Sequence, residues 1–124
     1  MVKKKILIVD DEHDFADVIK LRLEANDYVA VMLTNPKDIL TAIKKEAPDL
    51  ILLDIVMPGM DGYQVAKLIR QDMSASVIPI VLLTGKDLEP KETYRKCVDL
   101  GIAGFLAKPV ESKELLSKIK EVLK

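Results

Sequence analysis

The chain has one cysteine among its 124 residues. Cys97 therefore has no partner for an internal disulfide and no companion for a thiolate metal motif, and it reads as a small apolar residue of a helix. No apolar run approaches the ~18 residues of a membrane span. Lys3-Lys4-Lys5 begins with charge as a signal peptide does, but Ile6 to Val9 is too short for its apolar segment, so the lysines read as a solvated lead-in to a strand. A cytoplasmic location, with no membrane insertion, is the default. Charge of one sign is missing too: 19 basic residues face 20 acidic ones, a formal net charge of -1, which gives no electrostatic case for direct nucleic-acid binding. There is no internal repeat and no low-complexity linker. The lone histidine, His13, reads as a solvated residue in the first turn of a helix, with no nucleophile to pair with. What the chain does have is 49% hydrophobic and 31% charged residues, the mixture of a folded domain with a soluble surface. At this length it is one domain, residues 1–124, large enough to close a core without disulfides or structural metal.

Apolar runs without polar alternation mark strands covered on both faces. The run that organises the chain is Leu50-Ile51-Leu52-Leu53, which ends in Asp54; Pro58, Gly59 and Gly62 follow as turn residues, the glycines allowing dihedrals closed to other residues. Ile6-Leu7-Ile8-Val9 is a second such strand, closed by Asp10-Asp11-Glu12. Tyr28 to Leu33 is a short strand, Val77 to Thr84 another with Pro79 near its start, and Gly104 to Ala107 a fifth. Between them lie helical patterns. The first, about Asp14 to Asn26, carries an apolar stripe of Val18, Leu21 and Ala25 widened by Phe15, with Lys20, Arg22 and Glu24 outward. The next opens at Thr34-Asn35-Pro36 and buries Ile39, Leu40 and Ile43, ending before Pro48. Tyr63 to about Asp72 carries Val65, Ala66, Leu68 and Ile69. A fourth, from roughly Pro90 to Leu100, stops at Gly101. Ser112, with Glu111 and Glu114 nearby, opens the last, whose apolar face is Leu115, Leu116, Ile119, Val122 and Leu123.

Strand then helix, five times, implies a doubly wound α/β fold with a parallel sheet and right-handed crossovers. For five strands the common order is 2-1-3-4-5, the flavodoxin-like (βα)5 arrangement, taken here from that usual pattern and not from the residues themselves. In it, neighbouring strand ends present Asp10 and Asp11, Asp54, Thr84 and Lys108. Clustered carboxylates repel unless cations join them. Lys108 is one cation. A hard divalent ion is the other, and all-oxygen ligands with no His or Cys at a strand end favour magnesium over zinc. Such a site suits phosphoryl transfer to a carboxylate: Asp54 attacks phosphorus in line, while Lys108 and Thr84 bind the remaining oxygens. An aspartyl phosphate hydrolyses spontaneously, which suits a reversible signal.

Asp10-Asp11 after strand one, Asp54 followed by Met57-Pro58 and Gly62, Thr84 closing strand four, and Lys108-Pro109 closing strand five together resemble a response-regulator receiver domain of two-component signalling. The likeness is to the single-domain, chemotaxis-regulator type and spans essentially all 124 residues. It implies that Asp54 is the phospho-acceptor. It implies further that Asp11, Asp54 and the backbone carbonyl of Val56 bind Mg2+ directly, with Asp10 acting mainly through water. Thr84 takes a phosphoryl oxygen, Lys108 pairs with the phosphate, and the Lys108-Pro109 bond is cis. Thr84 and Phe105 would be the switch pair, reshaping the face of the fourth helix, fifth strand and fifth helix. Phe105 stands where Tyr is frequent, losing any hydroxyl contact, and Gly85 follows Thr84 where Ala is common, loosening that loop.

The expected activity is then a phosphorylation-controlled switch. It is not a turnover enzyme, since it catalyses only its own phosphorylation and dephosphorylation. Its donor is a sensor histidine kinase or phosphotransfer protein and its target a downstream protein. With no output domain after Lys124, it is either a free-standing regulator or a receiver separated from a longer protein. Three other functions fit these residues less well. A phosphatase working through an aspartyl phosphate resembles its relatives in placing the nucleophile on strand one with a second Asp two residues later, whereas residue 12 here is Glu. A flavin module of this strand order needs Ser, Thr or Gly donors after strand one, where this chain has three acids. An interaction module that keeps the fold without phosphorylation would have no use for so complete a site.

Overall fold

Three strands built of consecutive apolar residues can leave neither face in water, and the structure seals them completely. Residues 6–9, 50–53 and 80–83 are all 0% exposed. The computed structural model describes residues 2–85 and 90–124. In chain order its elements are β1 (Lys5–Val9), α1 (His13–Glu24), β2 (Val29–Leu33), a 3-10 turn (Pro36–Asp38), α2 (Ile39–Glu46), β3 (Leu50–Asp54), α3 (Gly62–Gln71), β4 (Ile80–Thr84), α4 (Pro90–Asp99), β5 (Gly104–Ala107) and α5 (Ser112–Val122). The five strands form one sheet in the order β2-β1-β3-β4-β5, every pair parallel. The alternation predicted the doubly wound parallel sheet, and the order taken from the usual five-stranded pattern is the order observed.

Side chains alternate across a strand, so each strand serves two cores. Leu7, Val9, Ile51, Leu53, Ile80 and Leu82 pack with Ile39 and Ile43 of α2, Val65, Ala66 and Ile69 of α3 and Cys97 of α4. On the other face Ile6, Ile8, Leu50, Leu52, Val81 and Leu83 meet Ala16, Ile19 and Leu23 of α1 and Leu115 and Ile119 of α5. Cys97 is buried, as its apolar reading requires.

Three local expectations are corrected. The stripe of α1 that faces the sheet is Ala16, Ile19 and Leu23, while Val18 and Leu21 are exposed. Both stripes have spacings of three and four, so periodicity could not choose between them; the smaller Ala16 seats the helix against the sheet. Arg22 does not point away, because its Nη1 donates to the Val110 carbonyl at 2.7 Å. β4 begins at Ile80 instead of Val77, which is exposed in the preceding turn, since Pro79 has no N–H for the ladder. α5 opens at Ser112 as expected, with Glu111 as its cap residue and no side-chain cap bond.

The far end of α4 is tied to α3 by a contact no sequence pattern announced. The Arg70 guanidinium donates to four carbonyls: Leu100 at 2.9 Å, Gly101 at 3.1 Å, Ser76 at 3.1 Å and Ile78 at 2.9 Å. A cation beside the last carbonyls of a helix is favoured by their partial negative charge, and only the planar fork of arginine spans both loops. Arg70→Met should cost about 2–3 kcal/mol in urea denaturation. Arg70→Lys should recover little of it, because an ammonium cannot reach all four acceptors.

Candidate functional site

Register builds the site. Val9 lies beside Leu53, Asp54 beside Leu83 and Thr84 beside Ala107, so β1, β3, β4 and β5 end at one level. The residues just past that level are Asp10 and Lys108, and the Lys108 N–H donates to the Thr84 carbonyl at 2.7 Å. Side chains distant in sequence thus converge at the carboxyl edge of the sheet, where open α/β folds bind ligands.

Asp10 is 0% exposed and Asp54 3%. Lys108 Nζ stands 2.9 Å from Asp10 Oδ2, 3.0 Å from Glu12 Oε1 and 3.3 Å from Asp54 Oδ1. One ammonium does not balance three carboxylates. Burial first, and the charge of Asp10 second, push the Asp54 carboxyl from its ordinary 3.8 up to about 7, against the opposing pull of Lys108. For Lys108, burial alone would lower the pKa. Pairing with Asp10 and Glu12, and the charges of Asp10 and Asp54, outweigh it and the net direction is up.

The loop after β3 is held by a reciprocal cap. Asp61 Oδ1 accepts from the Gln64 N–H and Gln64 Oε1 accepts from the Asp61 N–H, both at 2.9 Å. Gly59 has a φ of +80°, as a turn glycine should. Gly62 serves a different purpose from the turn dihedrals expected of it. It is the first residue of α3, and a Cβ there would strike the backbone carbonyl of Asp54 and stand 2.7 Å from Ile55 Cα. Its N–H donates to the Ile55 carbonyl at 2.7 Å. The start of α3 is therefore pressed against the end of β3, which fixes the backbone that carries Asp54.

Of the expected site residues, Asp10, Asp54 and Lys108 are brought together. Thr84 is buried at the adjacent strand end, its hydroxyl making a long 3.4 Å bond to the Leu106 carbonyl. Val56 lies two residues past Asp54 and is exposed, as is Asp11. The Lys108-Pro109 bond is cis. Phe105 is 41% exposed and lines an open groove of about 700 Å³ with Tyr94 and Val98 of α4. Sequence reasoning missed the place of Glu12. Among the described residues, the carboxylates whose oxygens lie within 4.8 Å of one another are Asp10, Glu12 and Asp54, without Asp11. The signal was available: an Asp side chain commonly accepts from the backbone two residues on, and Asp10 Oδ1 accepts the Glu12 N–H at 2.9 Å, turning Glu12 toward Lys108.

The donor set fits a hard divalent cation. It is all oxygen and carries excess negative charge; Asp10 Oδ2 is met at 2.9 Å by the Lys108 ammonium, while Asp54 Oδ2 is buried and accepts no hydrogen bond. Buried carboxylate oxygens are costly in that condition unless a cation meets them.

Residues 6–120 match the response regulator receiver domain family. Among solved structures, a CheY-like response regulator receiver domain protein from Methanospirillum hungatei JF-1 is 30% identical, with a TM-score of 0.88 over 98% of this chain and 94% of its own. The chemotaxis response regulator CheY4 of Vibrio cholerae is 26% identical, with a TM-score of 0.88 over 98% and 100%. The receiver domain of a signal transduction histidine kinase from Syntrophus aciditrophicus is 30% identical, with a TM-score of 0.84 over 97% and 89%. Receiver domains serve two-component signalling as switches that interact with histidine kinases and downstream targets. No helix among the described residues is long and apolar enough to cross a membrane. The strand order, the acidic pocket with its half-buried lysine and the match over residues 6–120 agree, and the chain belongs to the response regulator receiver domain family.

Proposed function

We propose that this chain is a phosphorylation-controlled switch that accepts a phosphoryl group on Asp54 from a phosphohistidine donor. The observation that carries the proposal is the placement of Asp54, a nearly buried carboxylate at a strand end, 3.3 Å from the Lys108 ammonium and beside Asp10. A carboxylate oxygen of Asp54 forms the new O–P bond as the donor's N–P bond breaks, and the imidazole departs with the electron pair and takes up a proton. Asp54, through its unpaired Oδ2, and the carboxylates of Asp10 and Glu12 would hold Mg2+, with Asp11 and the Val56 carbonyl as further ligands or as hosts for bound water. When bound, the ion neutralises charge on the transferring phosphoryl oxygens. Lys108 pairs with one of those oxygens, and Thr84 gives up its long bond to Leu106 to donate to another. That movement vacates space beside β5 for Phe105, so the half-exposed groove between α4 and β5 changes shape and with it the affinity for a protein partner. The change in partner binding is bounded by the partner's preference for one state over the other.

The test is mass spectrometry of the intact protein after incubation with acetyl phosphate. A single phosphoryl adduct should form only with Mg2+ present and should map to Asp54. An adduct on another residue, or equal labelling in chelator, would refute the assignment.

A further inference from the structure

Lys108 has a fourth neighbour besides its three carboxylates: its Nζ lies 4.3 Å from the centroid of the Phe15 ring. Phe15 is the third residue of α1, half-buried, and packed against the core shared by α1 and α5. The ring is thus anchored to the scaffold, while the lysine stem that crosses to it is long and flexible. Of the acids around the ammonium, Asp10 and Asp54 are buried but the Glu12 side chain is 64% exposed. An ammonium drawn by Glu12 would be drawn outward, away from Asp54. The negative face of an aromatic ring attracts an ammonium within about 6 Å of its centroid and does so without a formal charge that would repel an arriving phosphoryl group.

We propose that Phe15 is a positioning residue for phosphoryl transfer, its ring holding the Lys108 ammonium beside Asp54 while the anionic partners of that lysine are exchanged. The proposal rests on the reading of Asp54 as phospho-acceptor. Before transfer, Lys108 is shared among three carboxylates. Afterwards one of its partners is a phosphoryl oxygen on Asp54. Glu12 and the incoming phosphoryl group compete for the same cation, and a neutral attractor keeps the cation in place through the exchange. α1 therefore contributes to the site through an apolar side chain as well as by packing on the sheet.

The test uses the full chain and compares Phe15→Leu, Phe15→Tyr, Lys108→Met and the double variant Phe15→Leu/Lys108→Met. The readouts are the rate of phosphorylation by acetyl phosphate with Mg2+, the Mg2+ affinity by calorimetry and the folding stability. Phe15→Leu should slow phosphorylation by about threefold to tenfold while leaving Mg2+ affinity unchanged. Phe15→Tyr, which keeps the ring face, should return the rate close to native. In the Lys108→Met background the Leu substitution should have no further effect on rate. A native rate for Phe15→Leu beside a slow Lys108→Met would overturn the positioning role and leave the phospho-acceptor intact. A slowing by Phe15→Leu that persists without Lys108, or a matching loss of Mg2+ affinity, would overturn it equally. A native rate for Lys108→Met would overturn the positioning role too, because the ring would then hold a group on which the rate does not depend, while the acceptor is decided separately by where the adduct maps.

Discussion

Asp54→Asn will be unable to take a phosphoryl group and yet, without metal, will be more stable than the native chain at neutral pH. Asparagine offers no carboxylate to attack phosphorus, so the adduct should vanish. The gain in stability follows from what ionised Asp54 costs. Its carboxylate is nearly out of water, one of its oxygens accepts no hydrogen bond, and an oxygen of Asp10 lies within 4.8 Å. An acid whose pKa is higher folded than unfolded holds its proton in the folded state over a range where the unfolded chain has released it. The unfolded state then binds fewer protons, so stability falls as pH rises through that range, here from the ordinary 3.8 to about 7. Above the upper limit the loss is complete, and below the lower limit it is absent. A rise of that size corresponds to roughly 4 kcal/mol at most. The attraction of Lys108 for the ionised carboxylate is already contained in that rise, so a net gain of about 2–4 kcal/mol is expected for asparagine. Urea denaturation in chelator at pH 8 and pH 4.5 should show the advantage of Asp54→Asn at the higher pH and its shrinkage at the lower. An Asn variant less stable than native at both values would mean that the Lys108 pairing outweighs desolvation. With Mg2+ added the order should reverse, because the metal stabilises only the protein that binds it well.

The sheet was legible because its strands announce themselves. Runs such as Leu50 to Leu53 have no polar face to conceal, and proline, glycine or a run of acids closes most of them. Once the topology is fixed, the meeting of Asp10, Asp54 and Lys108 follows from register. Much less legible was anything decided by which of two equivalent surfaces wins. Val18 and Leu21 have the same spacing as Ala16, Ile19 and Leu23, and only packing against the sheet separates them. Glu12 and Asp11 are adjacent acids on one turn, yet the hydrogen bond from the Glu12 N–H to Asp10 turns Glu12 to the lysine. Arg70 and Phe15 carry no motif at all. Each acts on atoms tens of residues away, Arg70 on the end of α4 and Phe15 on Lys108, and such contacts exist only after folding. The sequence identifies the chemistry, while tertiary contacts decide how each reactive group is held.

Gly62→Ala tests how much of that holding is backbone. The added methyl would fall against the carbonyl of Asp54, 3.0 Å from its carbonyl carbon and 2.7 Å from Ile55 Cα. All of these are main-chain atoms, so no flexible side chain can yield. Either the first turn of α3 retreats, stretching the 2.7 Å bond from the Gly62 N–H to the Ile55 carbonyl, or the end of β3 shifts and carries Asp54 with it. Retreat is resisted by the Asp61–Gln64 cap, which fixes where α3 begins. Overpacking of this kind costs about 1–3 kcal/mol and sometimes more, against a helix-propensity gain of up to about 1 kcal/mol for alanine. A net loss of about 2 kcal/mol is expected. The rate of phosphorylation should fall by about tenfold or more, since misplacing a reacting group by about 1 Å can cost about a hundredfold. Gly85→Ala is the control. Among the described residues a Cβ at Gly85 meets nothing within 4 Å and the backbone there needs no left-handed angle, so its stability should stay within about 0.5 kcal/mol of native. If Gly62→Ala matched that control in both stability and labelling, the close approach of α3 to β3 would have no part in positioning Asp54.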